Sequence, residues 1–360
     1  GPASGGAVDG GAAAEGGDAG EEEGGGGEAG SAGAAPVCAW DVAGAGVAAG
    51  GAESEELRVP WDWMGVIGTG QSLAVGQSGT PALSTTQPYG NLQLSTDTLA
   101  WPIDPADPAL AMAPLIVPIG RRSTAYPSSW PENIAGETIH SAMANQITAL
   151  VAAAAGRDYV GVHGEFGENG QCISRLRKDS IADEVTGRAF EASLIATEAV
   201  TRLAAAEGKT YGVAAVTVVH GECDAGNAAY EDELVTLRAD YDADVKALTA
   251  QTEDVVMLLS QQNSTNDRSA STLAQWRIGV DHPELFTCVG PTYQYRAALD
   301  GTHLHAPGYQ MLGEKFGQVY FERVVRGRPW QPLQALDAER SGGRVIRVRF
   351  HVPVPPLVWD

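Results

Sequence analysis

Three residues carry side chains that together could transfer an acyl group: Ser72, in Gly68-Thr-Gly-Gln-Ser72-Leu-Ala-Val-Gly76, and Asp300 and His303, in Asp300-Gly-Thr-His303-Leu-His-Ala-Pro-Gly-Tyr309. A serine hydroxyl is a poor nucleophile at neutral pH. It needs a base within hydrogen-bond reach and a third group that fixes the tautomer of the base and stabilises the imidazolium. Asp300 and His303 are close enough in sequence for one tight loop to aim both at a serine arriving from elsewhere. Each string alone has a plainer reading, a Gly/Ser turn for the first and a helix start capped by Asp300, with Pro307 and Gly308 following, for the second. Their combination favours chemistry.

The elements that must position these residues show as alternation. Short apolar or β-branched runs, 63–69, 115–120, 159–163, 213–220, 255–261 and 286–289, read as strands buried on both faces. Between them lie helical stretches at 136–155, 190–207, 228–249, 271–278 and 307–325. This pattern predicts one α/β domain over 58–328, a three-layer α/β/α sandwich around a parallel sheet of about five strands, with ligands bound beyond the carboxyl ends of the strands. Ser72 directly follows the first strand, at a sharp strand-to-helix turn that would expose its hydroxyl and aim its own N–H at a developing oxyanion.

The remaining segments are bounded by composition. Residues 1–35 are almost wholly Gly, Ala, Glu, Asp and Ser, and ordering them would cost entropy that no apolar burial offsets, so they read as a disordered linker, with 36–57 an irregular lead-in. Residues 77–130 are rich in Pro, Ser, Thr and Trp and too long for an ordinary connection; they read as an insertion that shapes a substrate site or as a surface excursion. At 344–350 an alternating strand pattern returns, and 329–360 reads as an extension, the start of a β-rich domain.

The net charge is −22, and with 11 acidic and no basic side chains in residues 1–56, the rest carries 34 acidic against 23 basic. A net −11 repels phosphate backbones, which argues against nucleic acid as a partner. No segment reaches the roughly 20 apolar residues of a membrane span. No signal peptide is visible, yet an acidic Gly/Ala-rich tether of this kind is common on exported bacterial proteins, so export is the expectation.

The four cysteines, Cys38, Cys172, Cys223 and Cys288, form no CxxC pair, which argues against a structural metal. They read either as buried small side chains or as disulfide partners, and Cys172 with Cys223 is the favoured pair because both flank suspected site loops. Val162-His163-Gly-Glu165 and Val219-His220-Gly-Glu222 repeat one string at two strand ends. Two His and two Glu could ligate a metal. The favoured reading is instead that these loops furnish backbone N–H groups and a polar side chain for an oxyanion hole.

Taken in order, Gly70-Gln-Ser72, Asn169-Gly-Gln-Cys-Ile173, His220-Gly-Glu222-Cys-Asp224 and Asp300-Gly-Thr-His303 resemble the motifs of the SGNH hydrolases. The resemblance is to their carbohydrate acetylesterase and sialate O-acetylesterase-like branch, and covers roughly residues 62–326. It implies Ser72 as nucleophile, His303 as general base and then acid, and Asp300 as its orienting carboxylate. It places the N–H groups of Ser72 and Gly170 in the oxyanion hole, with Gly164 and Gly167 as alternatives to Gly170. His220 stands where the family has glutamine; as a donor to the hole it would depend on tautomer and pH. Glu222 and Asp224 match family positions as loop supports. His305 reads as a solvated side chain, or as lining the leaving-group side. His140, His282 and His351 carry no signal.

The expected activity is a serine esterase without cofactor that removes short acyl groups, acetyl foremost, from a carbohydrate or other hydroxylated substrate. A lipase or polyester-type esterase with the same three residues, and a catalytically lapsed glycan-binding module, are the alternatives. The sugar, the acyl position and the oligomeric state are not legible.

Overall fold

A computed structural model describes residues 56–96, 102–120, 133–182, 185–186, 188–263 and 268–357. The expected linker over 1–35 and most of the lead-in to residue 57 lie outside the described residues. In chain order the elements are β1 (Trp63–Gly70), β2 (Leu92–Ser95), β3 (Ala111–Pro114), α1 (Ile139–Ala155), β4 (Gly161–Glu165), α2 (Ile173–Leu176), the short pair β5 (Ile181–Ala182) and β6 (Val185–Thr186), and α3 (Arg188–Ala206). They continue with β7 (Tyr211–Val219), α4 (Tyr230–Thr249), β8 (Val256–Gln261), α5 (Ala270–Asp281), β9 (Phe286–Pro291), α6 (Ala306–Tyr320) and a closing hairpin, β10 (Gln334–Ser341) and β11 (Val345–His351).

The main sheet has the order β3-β2-β4-β1-β7-β8-β9. All neighbours run parallel except β3, which lies antiparallel to β2 at one edge. The expected five strands are therefore the core, β4-β1-β7-β8-β9, and β2 and β3 widen it from within the 77–130 segment. The architecture is the α/β sandwich that the alternation predicted. Chain order reverses at β1: the next core strand, β4, lies on one side and β7 on the other. That reversal opens a crevice at the carboxyl ends of β1 and β7, where this class of sheet binds ligands.

Burial explains why these runs are strands. Every residue of β1 is buried, and β7 is buried after its first residue, so both faces of the sheet are covered. On one face Met64 and Val66 pack against Ile139, Met143, Tyr309, Leu312 and Phe316 of α1 and α6. On the other Ile67, Val213 and Val216 meet Phe190, Tyr230, Leu234 and Tyr241 of α3 and α4. Each large side chain so buried contributes about 1.5–3 kcal/mol. In α4, Glu231, Asp232 and Glu233 occupy the first turn and Lys246 the last, signs that favour the helix dipole.

The strand expected over 115–120 is absent, and its place is taken by the earlier, shorter β3. Leu115, Val117 and Ile119 are buried, Leu115 and Ile119 beside Val75, Ile134 and Ala144, so the alternation reported burial correctly. Pro118 offers no N–H to a ladder and the carbonyls of Pro114 and Ile116 accept from the Gln93 side chain, which keeps the segment out of the sheet. The alternating run near 344–350 is β11, paired with β10 in a ribbon whose residues are almost all exposed.

Helices α1 and α6 approach closely because α6 carries Gly313 at their contact: a Cβ there would lie 2.3 Å from the Ile139 carbonyl oxygen. Gly313→Ala is expected to destabilise the domain by about 1–3 kcal/mol through overpacking. The measurement is the denaturant midpoint at unchanged m. Gly226→Ala, where a Cβ meets nothing within 4 Å, should stay within about 0.5 kcal/mol of wild type.

Candidate active site

The chain leaves β1 at Gly70 in a conformation reserved for glycine, φ 144°, with the Val219 carbonyl oxygen 2.2 Å from where a Cβ would stand. Gln71 N–H donates to that same carbonyl at 3.2 Å, and Gln71 O accepts from Ala74 and Val75 N–H, which winds residues 71–75 into a turn. Ser72 is thus presented at the crevice between β1 and β7. Among the described residues its backbone N–H donates to no acceptor.

Asp300 and His303 arrive from the far edge of the sheet on the segment between β9 and α6. The segment folds back on itself through an Ala297–Leu304 bridge, with Ala298 N–H donating to His303 O at 2.6 Å. His303 Nδ1 donates to Asp300 Oδ2 at 2.8 Å, and Ser72 Oγ donates to His303 Nε2 at 2.7 Å. Asp300 Oδ1 accepts from the N–H groups of His303 and Thr302 at 2.9 and 3.0 Å. Burial works to raise the Asp300 pKa, but these donors outweigh it and hold the carboxyl at about 2. The structure therefore joins Ser72, His303 and Asp300 into one hydrogen-bonded chain. Such a chain can take the serine proton as the oxygen attacks and return it to a leaving group.

His305, two residues on, caps α6: its Nδ1 accepts from Gly308 N–H at 3.3 Å. That is the capping expected of Asp300 in the plainer reading of this loop, done by a different side chain.

Of the three glycines after β4, Gly164 is inside the strand, opposite Ile67, and Gly167 N–H donates to Glu165 Oε1 at 2.6 Å. Gly170, at φ 72°, is exposed at the tip of a turn closed by Gln171 N–H donating to Glu168 O, and its own N–H has no acceptor among the described residues. His220 departs from the expectation of a donor to the hole. Its Nε2 donates to Gln171 O at 3.0 Å and its Nδ1 accepts from Tyr230 OH at 2.8 Å, so both ring nitrogens are used inside the fold. Burial lowers its pKa against the opposing pull of the Gln171 carbonyl, Asp224 and Glu222, which keeps this neutral tautomer. Asp224 supports the same junction, accepting from Ile173 N–H and Asn227 Nδ2, each at 2.8 Å. Glu222 is half-buried beside it.

Cys172 and Cys223 form a disulfide between the loops after β4 and β7. Closing a loop over a separation of 51 residues removes unfolded-chain freedom worth about 4 kcal/mol. Among the described residues the two His-Gly-Glu strings are not brought together as a group of ligating atoms. The one group of ligating atoms lying together is Cys172, Cys223 and Asp224, and its sulfurs are bonded to each other.

Beneath the crevice is a buried cluster that the sequence did not disclose. His140 Nε2 donates to Glu165 Oε2 at 3.0 Å, and His140 Nδ1 lies 3.2 Å from His163 Nδ1. Burial, with His140 adding to it, pushes the His163 pKa well below its usual value. Glu168 and Arg188 form a buried two-pronged ion pair at the base of the Gly170 turn. Removing one partner of such a pair costs about 3–5 kcal/mol. Glu137, fully buried, accepts from Leu83 N–H, Ser84 N–H and Ser84 Oγ, and so ties down the start of the 77–130 segment. From that segment Ser78 Oγ approaches Asp300 Oδ2 at 3.4 Å.

No protein-family profile matches the sequence, and no curated protein matches it. Solved structures do. A protein from Arabidopsis thaliana aligns over 74% of this chain and 100% of its own, at 15% identity and a TM-score of 0.53, and shares the fold. A carbohydrate acetylesterase from Xanthomonas citri aligns over 80% of this chain and 62% of its own, at 12% identity and a TM-score of 0.48. NanS aligns over 72% and 97%, at 10% identity and a TM-score of 0.44.

Because Asp300 is held at about 2 against an ordinary 3.8, it adds stability that is complete above pH 3.8 and is lost as pH falls towards 2. Asp300→Asn should remove that component from the acid limb of a stability–pH curve. Stability measured by denaturant at pH 2, 3, 4 and 6 checks it.

Proposed function

We propose that the protein is a serine esterase that removes short acyl groups, acetyl foremost, from a carbohydrate or other hydroxylated substrate. The observation that carries this reading is the continuous chain Ser72 Oγ, His303, Asp300 at 2.7 and 2.8 Å, located at the sheet's order reversal. The motif order supports it independently.

In the proposed reaction His303 Nε2 takes the Ser72 proton as Oγ bonds to the acyl carbon. The oxyanion so formed accepts from the N–H groups of Ser72 and Gly170, which find no acceptor among the described residues. His220 serves the hole indirectly, through the Gln171 carbonyl next to Gly170. Collapse breaks the ester C–O bond, and His303 gives the proton to the departing hydroxyl of the substrate. Water then attacks the acyl-serine, His303 accepting its proton and returning it to Ser72 as the carboxylic acid leaves. Asp300 stays ionised throughout and stabilises the imidazolium. The disulfide favours an oxidising compartment and so supports export.

The test is hydrolysis of p-nitrophenyl acetate, butyrate and octanoate by wild type and Ser72→Ala. Acetate should be preferred, and the mutant should lose about three orders of magnitude or more. Activity unchanged by the mutation would sink the assignment. Rates that rise with chain length would favour the lipase-type reading, and binding of glycans without turnover the lapsed module.

A further inference from the structure

The loop after β4, which carries Gly170, and the loop after β7 are joined at three points. The first is the Cys172–Cys223 bond. The second is His220 Nε2 donating to Gln171 O, and the third is Ile173 N–H donating to Asp224 Oδ2. The β7 loop is in turn tied to the serine turn, since Cys223 N–H donates to the Gln71 side-chain oxygen at 3.2 Å. Gln71 immediately precedes Ser72. One short path therefore runs from the Gly170 turn through Cys172, Cys223 and Gln71 to the nucleophile, and its middle link is the covalent one.

The two ends of this path differ in how firmly they are otherwise held. Residues 166–168 pair with the end of β1, Phe166 N–H donating to Gly68 O and Glu168 N–H to Gly70 O, and Glu168 is locked to Arg188. Beyond Glu168, the turn at 169–172 protrudes, and Gly170 is exposed. On the other loop the carbonyls of His220 and Gly221 are fixed by Gln275 Nε2 at 2.5 Å and Ser271 Oγ at 2.6 Å, both buried donors. The β7 loop is thus the rigid partner, and the Gly170 turn the one that needs an anchor. Cys223 is exposed and Cys172 half-buried, so the bond is open to a small thiol from solvent.

We propose that Cys172 and Cys223 are positioning residues for the esterase reaction: their bond sets the Gly170 N–H relative to Ser72, and the chain becomes fully active only once the bond has formed. This rests on the esterase reading above. Reduction by a dithiol transfers two electrons and two protons to the pair, giving two thiols while the reductant closes to its own disulfide. The remaining contacts, His220 to Gln171 and Asp224 to Ile173, keep the loops adjacent, so the reduced chain stays folded while the Gly170 turn gains freedom. Misplacing one oxyanion donor acts on the transition state more than on ground-state binding, so the effect falls on kcat rather than KM.

The experiment uses the full chain in a Cys38→Ser background, so that position 38 takes no part in thiol exchange. The protein is treated with dithiothreitol, and reduction of Cys172 and Cys223 is verified by alkylation and peptide mass. Expected is a fall in kcat of roughly tenfold or more at nearly constant KM, recovered on reoxidation with oxidised glutathione, because small displacements of catalytic groups carry penalties of this size. A Cys172→Ser/Cys223→Ser double variant should show the low kcat from the outset and be indifferent to dithiothreitol. Hydrogen exchange should rise at 169–173 and 222–224 on reduction while β1 and β7 stay protected. Verified reduction with unchanged kcat, or with unchanged exchange in those loops, overturns the proposal. If the oxidised chain cleaves no ester while exchange rises as described, the esterase reading falls and the proposal with it, leaving the bond as a loop anchor only.

Discussion

The passage of Gly70 beside the Val219 carbonyl is the constraint on which the site depends. At that point a Cβ on residue 70 would stand 2.2 Å from the Val219 carbonyl oxygen, and the chain must turn with φ 144°. A side chain here would push the two strand ends apart. The consequence would not stay local, because the Val219 carbonyl also accepts from Gln71 and because Gln71 carries the contact to Cys223. The turn that presents Ser72, the crevice beside it and the loop facing it are all referenced to this one close approach. The sheet supplies the rest of the rigidity, since both its faces are buried and neither strand can shift without repacking two cores.

Around that fixed point the protein invests buried polar groups rather than apolar ones. Glu165 with His140, Glu168 with Arg188, and Glu137 with the N–H groups of Leu83 and Ser84 are all carboxylates removed from water close to a site loop. Such groups add little net stability over well-packed hydrophobes, because desolvation consumes most of the attraction. They do impose direction. A carboxylate with its acceptor positions filled admits few alternative loop geometries, and each of these pins a backbone segment that contacts either β1 or the loop of Asp300. Apolar packing would have held the same segments without orienting their peptide groups.

What could be read from the sequence follows from the range of the interactions involved. The core strands and helices were legible because burial on two faces writes β-branched runs and helical periodicity into contiguous residues. That Ser72, Asp300 and His303 meet was legible because a hydrogen-bonded chain of this kind restricts residue type and because Asp300 and His303 share one tight loop. The seven-strand width was not, since β2 pairs with β4 through a single register position, Leu92 opposite Val162. His140 was silent because its meaning lies in Glu165 and His163, which reach it only across the fold. His220 could be placed beside the site, but its use was decided by Tyr230, a helix residue that fills one nitrogen. The strand expected at 115–120 failed for a reason that was visible, Pro118, and that the apolar alternation outweighed.

The serine and the histidine that meet at 2.7 Å are 231 positions apart in the chain. Ser72 is made early, at the end of the first strand, while His303 is made only after the last strand of the sheet. Between these two events every core strand must be synthesised and docked, because the segment that returns His303 to the crevice starts from β9 at the opposite edge. A nascent chain therefore holds the Ser72 hydroxyl without the imidazole that accepts from it in the folded domain. The hydrogen-bonded chain of Ser72, His303 and Asp300 therefore closes late, when the segment after β9 returns to the sheet, and an N-terminal fragment that stops short of His303 lacks it.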